Sequence, residues 1–485
     1  MAENDPMPHS PEPVGHRPAA NLSAENAAAV VDSNPMSLDG MHGSVEIPGN
    51  QAGFFSQWKA FMGPALLISV GYMDPGNWGT DLQAGAQFKY GLLWVVALAS
   101  LMAIFLQVMA ARLGVATGKD LAQACRDWYP KWTRWPNWLL CEVAVGATDL
   151  AESLGSAVAI NLLFHIPIFW AVVITAFDVL LLLALQGFGM RKIEALIGVL
   201  ISTIAVCYFI EIFVLPQTQP NFRELGLAIL SPSLHQPGMM VVAIGIIGAT
   251  VMPHNLYLHS ALVQSRKLQK DEASIRNAIR FNTIDSATSL TVAFFVNAAI
   301  LVLAAMVFYG KDSITVPGGQ VVQFTPDSDW IRIAHLTLAP LLGTAAASTL
   351  FAIALLASGQ SSTITGTLAG QVVMEGFMQW RMRPWLRRMI TRTLAVLPAI
   401  VIIGIRGDSG MTDLINLSQV VLALQLPFAL LPLLQFTSSR KRMGQWKNGW
   451  LLMIAGWGSA LLITVMDIFT LPAALRHAWG VITGG

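Results

Sequence analysis

The chain is 485 residues long and 54% apolar, yet only 12% of it is charged, about half the share usual in a soluble globular protein. A soluble chain of this length would form several domains, and 29 basic and 28 acidic residues are too few to coat them; with a mean hydropathy of +0.57, most of the surface must face lipid. A net charge of +1 gives no electrostatic reason to expect a nucleic-acid partner, and the separated Cys125, Cys141 and Cys207 provide neither a disulfide framework nor metal-binding spacing.

Residues 1–52 contain seven prolines and no apolar periodicity, so they read as a disordered cytoplasmic tail, and they lack the basic-then-apolar pattern of a signal peptide. Beyond them, apolar runs long enough to cross roughly 30 Å of hydrocarbon predict eleven helices. These are α1 58–83, α2 92–116, α3 137–163, α4 167–187, α5 193–215, α6 238–262, α7 283–309, α8 334–358, α9 386–405, α10 414–435 and α11 448–471. The expected division is a first transmembrane repeat at 53–215, an extracellular loop at 216–237, a second repeat at 238–435, and α11 with a short extracellular C-terminus at 436–485.

Basic residues set the expected orientation, because Lys and Arg in short loops stay cytoplasmic. Lys119, Arg126, Lys131 and Arg134 follow α2, Arg191 and Lys192 follow α4, and Arg266, Lys267, Lys270, Arg276 and Arg280 follow α6. Arg381, Arg383, Arg387 and Arg388 follow α8, and Arg440, Lys441, Arg442 and Lys447 follow α10. The odd-numbered loops hold only Lys89, Arg223, Lys311, Arg332 and Arg406. The N-terminus is therefore expected in the cytoplasm and the C-terminus outside.

Two spans contain what hydrocarbon should not tolerate, a proline flanked by polar residues. α1 reads Gly71-Tyr72-Met73-Asp74-Pro75-Gly76-Asn77, and α6 reads Gly248-Ala249-Thr250-Val251-Met252-Pro253-His254. Proline removes an N–H and clashes with the preceding turn, and irregular backbone at membrane depth is tolerated only where it lines a cavity or is buried in protein. Either site alone reads as a simple kink. Two in corresponding places predict inverted repeats, α1–α5 and α6–α10, with a substrate site between them at mid-membrane.

The breaks supply ligands: the Asp74 carboxylate, the Asn77 amide oxygen, the Met252 thioether, and freed carbonyls, expected at Gly71 and Ala249. A buried carboxylate calls for a cation. Oxygen ligands alone suit magnesium or calcium, whereas sulfur moves the preference toward Mn(II), Fe(II), Co(II) and their neighbours. The alternative for Met252 is core packing.

Helix α3 carries Glu142, Asp149 and Glu152, spaced to share one face. Such a face must look into the bundle, and three buried acids either exchange protons or pair with bases. Arg388 and Arg392 of α9 are the candidate partners. His254 and His259 in the second half of α6 are placed beside the metal, tuning protonation, and along the inner vestibule, respectively; a structural hydrogen-bonding role is the alternative. They are not part of an HExxH zinc motif. Asp178 and Asp285 have no assignment beyond a helix-end or hydrogen-bonded role.

The Asp74-Pro75-Gly76-Asn77 and Met252-Pro253-His254 motifs, with Gly359 to Thr367 and Gly370-Gln371 placed after α8, resemble the Nramp family of proton-coupled divalent metal transporters, its bacterial manganese transporters in particular. The resemblance runs from about residue 55 to 470. It implies an all-α polytopic protein with a leucine-transporter-like fold, metal import into the cytoplasm, and ligation by Asp74, Asn77, Met252 and the Gly71 and Ala249 carbonyls. It adds Gln419 of α10 as a ligand and matches the family's α3 acids to Asp149 and Glu152, with Glu142 nearer the cytoplasm. It further implies a bacterial inner membrane. The partners expected are a divalent ion, protons and the bilayer, with no cofactor, and the protein is expected to function as a monomer. A sodium-coupled organic-solute transporter shares the broken-helix design, but a sulfur beside Asp74 would then be wasted. A metal-gated channel or transport-dead sensor would keep the site without the cycle, and no nucleophile-base or phosphate-cradling motif supports an enzyme.

Overall fold

The computed structural model describes residues 38–49, 52–178, 188–214, 220–269, 271–315, 321–324, 330–334, 345–406 and 409–483. Described helices overlap the expected spans, and the described β structure is a three-residue antiparallel pair, Ser313–Thr315 with Val321–Gln323, between α7 and α8, and a single parallel bridge between Val45 and Arg266. Eight of the described helices are long and apolar enough to cross a membrane. The broken α1, the partly described α4 (Ile168–Thr175) and the arginine-bearing α9 (Pro384–Arg406) fall outside that set.

The prolines of α1 and α6 do not kink continuous helices; each begins a new one. The first half of α1, the inner one in the expected orientation, is Pro64–Ser69 continued by a tight turn at Val70–Met73. Asp74 is then extended (φ −71°, ψ 168°) and caps the outer half, Pro75–Phe88, its carboxylate accepting from the Asn77 N–H at 2.9 Å. Pro75 sits at the first helical position, where the missing N–H costs nothing. In α6 the first half, Met239–Thr250, ends at Val251, and Met252 (φ −82°, ψ 126°) precedes Pro253–Leu262. A proline after an extended residue is thus the local reason for both interruptions.

Around these halves the long helices close a bundle. The outer half of α1 packs on α7 (Glu272–Phe308), α3 (Arg134–Phe164) packs on α8 (Ala345–Met378), and α10 (Ser409–Ser438) lies against α3, the first half of α6, and α11 (Trp450–Thr483). Exposed apolar side chains such as Phe209 at the end of α5 (Met190–Phe209) and Phe213 just beyond it, Leu394 and Leu397 of α9, and Leu451 and Phe469 of α11 form the lipid-facing surface.

Two expectations change. Helix α8 extends farther toward the C-terminus than expected: it runs to Met378, so the Gly359–Thr367 and Gly370-Gln371 motifs lie within it and not after it. Its polar stretch faces α3 and the α1 break, which is why hydropathy ended the helix too early. Residues 38–49, inside the tail expected to be disordered, are seated on the protein, with Leu38, Met41 and Val45 buried. The remaining residues 1–37 of that tail lie outside the described residues, as does the side chain of Asp178.

At one crossing the backbones come into direct contact. A Cβ on Gly114 of α2 (Leu93–Thr117) would collide with the Ser260 carbonyl of α6, whereas one on Gly146 of α3 would meet open space. Gly114→Val should therefore lose about 1–3 kcal/mol through overpacking and lower the melting temperature of the purified protein. Gly146→Ala should leave it unchanged or raise it slightly; equal effects at the two positions would refute this account of the crossing.

Candidate metal-transport site

The two breaks meet inside the bundle. Asn77 of α1 donates through Nδ2 to Thr250 Oγ1 of α6 at 3.2 Å, so the amide expected as a ligand stands next to the segment bearing Ala249 and Met252. Gly71 faces the Asn255 side chain, and Gly76 faces the side chain of Gln419 on α10. Asp74, Asn77, Ala249, Met252 and Gln419 are each at most 3% exposed. The fold therefore gathers the expected ligand positions about one closed locus. Among the described residues no three His, Cys, Asp or Glu side chains cluster as a metal site. The expected donors are one carboxylate, amides, a thioether and backbone carbonyls, and such a set, with little charge, would suit passage of a borderline cation better than permanent capture.

The carbonyls exposed by the α1 break have partners that the sequence reading missed. Asn297 of α7 donates through Nδ2 to the Tyr72 carbonyl at 2.7 Å. The Met73 carbonyl accepts from Trp78 Nε1 at 3.0 Å and from Ser358 Oγ of α8. A polar residue alone in an apolar span, as Asn297 and Gln107 are, was the available signal. Gln107 of α2 donates to Tyr72 Oη at 2.7 Å and lies 3.0 Å from His259 Nδ1. His259 is fully buried; it does not line an open vestibule here but ties α6 to α2 and, through Tyr72, to α1. His254 Nδ1 lies 3.4 Å from Thr148 Oγ1 of α3, which joins the substrate locus to the acidic face.

That face is met by α9. Arg388 forks between Asp149 and Glu152, the latter at 3.1 Å. Arg392 donates to the Asp149 carbonyl at 2.9 Å, and Arg387 meets Glu142 at 2.6 Å. Ser362 of α8 adds a hydrogen bond to Glu152 Oε1 at 2.7 Å. Arg387 and Ser362 were not anticipated; the acids and both expected arginines are brought together, and Glu152 lies within electrostatic reach of Asp74.

A second polar cluster holds the inner end of α1. Asp285 of α7 accepts from the Gly63 and Ala65 N–H groups at 3.2 and 2.9 Å, a helix-end role. Arg266 and Arg191 each donate to the Met62 carbonyl at 2.8 Å, and Glu194 of α5 joins both arginines, at 2.6 and 3.1 Å. Glu194 escaped the sequence reading because it sits at a predicted helix boundary, and Arg191 was read only as a loop charge that sets orientation.

A bundle with two interrupted helices enclosing a mixed-donor site defines a membrane transporter of the broken-helix class. The chain belongs to the Nramp family, described as natural resistance-associated macrophage protein-like, whose family profile matches residues 65–472. It is 48% identical over 449 residues to the divalent metal cation transporter MntH of Nostoc, covering 92% of this chain and 97% of that one. To the protein of the same name in Brucella suis it is 47% identical over 443 residues, covering 90% and 93%. The manganese transporter of Eremococcus coleocola shares the structure with a TM-score of 0.82 at 39% identity, covering 92% of each chain. Mhp1, a nucleobase-cation-symport-1 family transporter in a closed conformation, shares the fold at a TM-score of 0.53 and 14% identity, over 86% of this chain and 91% of that one.

Arg388→Ala strands two buried acids, and breaking a buried pair costs roughly 3–5 kcal/mol. The variant should melt well below the parent. Adding Asp149→Asn and Glu152→Gln to it should recover much of the loss, because the stranded charges are removed with their partner. Failure of that recovery in a thermal melt would show that Arg388 acts through packing alone.

Proposed function

We propose that the protein imports divalent transition metal ions, Mn(II) foremost, by alternating access coupled to protons. The observation that supports this reading is the meeting of the two helix breaks, where the Asn77 amide bonds Thr250 of α6, Gly71 faces Asn255 of α6 and Gly76 faces Gln419 of α10; the ligands would be Asp74, Asn77, Met252, Gln419 and the Gly71 and Ala249 carbonyls. A hydrated ion entering from outside exchanges most of its water for these donors. Asp74 supplies the negative charge that makes dehydration tolerable, and Met252 supplies the sulfur that Mg(II) and Ca(II), as hard ions, do not reward.

Asp74 gives up or passes on its proton as the metal binds, toward Asp149 and Glu152 and the arginines of α9, with Glu142 nearer the cytoplasm. His254 bridges the two regions through Thr148. Inward movement of one elementary charge across 100 mV gains about 2.3 kcal/mol, so a divalent ion and a proton together gain roughly 7 kcal/mol. Eleven crossings in two inverted repeats, 53–215 and 238–435, with the basic loops inside, put the N-terminus in the cytoplasm and the C-terminus outside. One copy of the chain contains the whole site, so the working unit is the monomer, set in a bacterial inner membrane. A sodium-coupled organic-solute cycle is disfavoured by the thioether and by the single carboxylate at the locus.

Manganese uptake into proteoliposomes carrying an internal pH dye tests the reading. Asp74→Ala should abolish both metal uptake and its acidification; transport at the parent rate would remove Asp74 from the site. Met252→Ala should narrow the preference for Mn(II) over Mg(II) and Ca(II) by on the order of tenfold or more, the scale of one lost ligand interaction. Unchanged selectivity would leave Met252 as a packing residue.

A further inference from the structure

Residues 38–49 run across the expected cytoplasmic face and touch three elements that alternating access has to separate. The Leu38 N–H donates to Glu375 Oε2 near the end of α8 at 2.8 Å. Gly43 and Val45 donate to the Gln264 and Ser265 carbonyls at 2.9 and 2.8 Å, and Lys267 N returns a bond to the Val45 carbonyl at 2.9 Å. This is a short parallel pairing on the segment leaving α6. Farther on, Gln57 Nε2, in the helix Phe54–Phe61 that leads into α1, donates to the Gly49 carbonyl at 2.7 Å. Leu38, Met41 and Val45 are 5%, 0% and 5% exposed and enter the main core, while Ile47 packs on the cluster around Phe61 and Phe281.

The pairing is centred on Arg266, the residue whose guanidinium holds the Met62 carbonyl and Glu194 at the inner end of α1. One strand-like segment thus grips the backbone of the residue that latches the inner half-helix. The grip is shallow. His42, Gly43 and Ser44 are exposed, and the Glu46–Lys267 ion pair, at 2.7 Å, lies in solvent. A segment with three buried apolar side chains and a few backbone bonds is the kind that opens locally without unfolding the rest.

We propose that residues 38–49 form a strap that keeps the inner gate shut and must peel off the α6 exit before the inner half of α1 can swing away. The chain's own N-terminal segment then sets the fraction of molecules open to the cytoplasm. This rests on the alternating-access reading. A ligand for the groove is already present in the chain itself: one helical turn, Leu38–Met41, seats Leu38 and Met41, and the residues after it add to the 264–267 backbone by strand pairing at Val45.

Two measurements on the full chain test it. The first uses an Ala65→Cys reporter on the inner half of α1, with the native Cys125, Cys141 and Cys207 buried. Met41→Asp should speed its labelling by a water-soluble maleimide by on the order of tenfold or more, because a carboxylate in place of a buried apolar side chain disfavours the docked strap. The second needs no destabilising change: Glu46→Cys with Lys267→Cys, joined by a reducible thiol crosslinker, should halt manganese uptake, and reduction should restore it. Labelling that stays at the parent rate, or uptake that continues at the uncrosslinked rate with the strap tied down, would overturn the proposal. Labelling is read without metal, and uptake by the parent protein is scored separately, so failure of the strap and failure of the transport reading give different results.

Discussion

At membrane depth every backbone N–H and C=O needs a partner from the protein itself, and the way this chain meets that demand at its two breaks organises the rest of the structure. Asp74 gives one carboxylate oxygen to the Asn77 N–H, so the residue proposed to offer charge to the metal is also the cap of the outer half-helix. The Tyr72 carbonyl is taken by Asn297 of α7 and the Met73 carbonyl by Ser358 of α8. The Asn77 amide reaches Thr250 across to α6. Satisfying one interrupted helix thus fixes the positions of three others. The locus is preorganised because its backbone cannot be left unbonded.

Charge follows the same logic one layer away. Arg388 and its acids, Asp149 and Glu152, are at most 1% exposed, and an ion cluster so deeply buried gains no stability over well-packed apolar residues of the same volume. Stability alone gives no reason for it. Its position does, since it lies within reach of Asp74 on one side and continues through Arg387 and Glu142 toward the end of α3 on the other. The lipid-facing surface of α9 stays apolar, with Leu394 and Leu397 outward, so the arginines turn inward without exposing charge to hydrocarbon.

Sequence reading reached the breaks, the acidic face and its arginines because each violates a rule of membrane composition. A proline, an acid or an arginine within an apolar run is conspicuous. It failed where the violation was mild or the signal non-local. The polar serines and threonines of α8 looked like a loop, although they pack against α3 and the α1 break. Tyr72, Gln107 and His259 form one connected set only after α1, α2 and α6 have been assembled. The docking of Leu38, Met41 and Val45 was invisible because three apolar side chains among prolines and polar residues make no periodic pattern. Their seats exist only where α6 and α8 end side by side.

The two kinds of contact also divide the bundle into parts that can and cannot separate. The outer half of α1 approaches α7 so closely that a Cβ on Gly85 would strike the Leu301 carbonyl, and the second half of α6 is held against α2 in the same way at Gly114. Contacts made backbone to backbone over glycine lose their dispersion energy within a fraction of an ångström and have no intermediate distance at which they are satisfied. The inner half of α1 is held differently, by Asp285 on its N–H groups and by Arg191 and Arg266 on the carbonyl before it. Each of those polar partners can trade its bond for water if solvent reaches it. The inner half-helix is thus held by bonds that water can replace, and Tyr72 and Met73 join it directly to Asp74, which couples its placement to that of the Asp74 carboxylate.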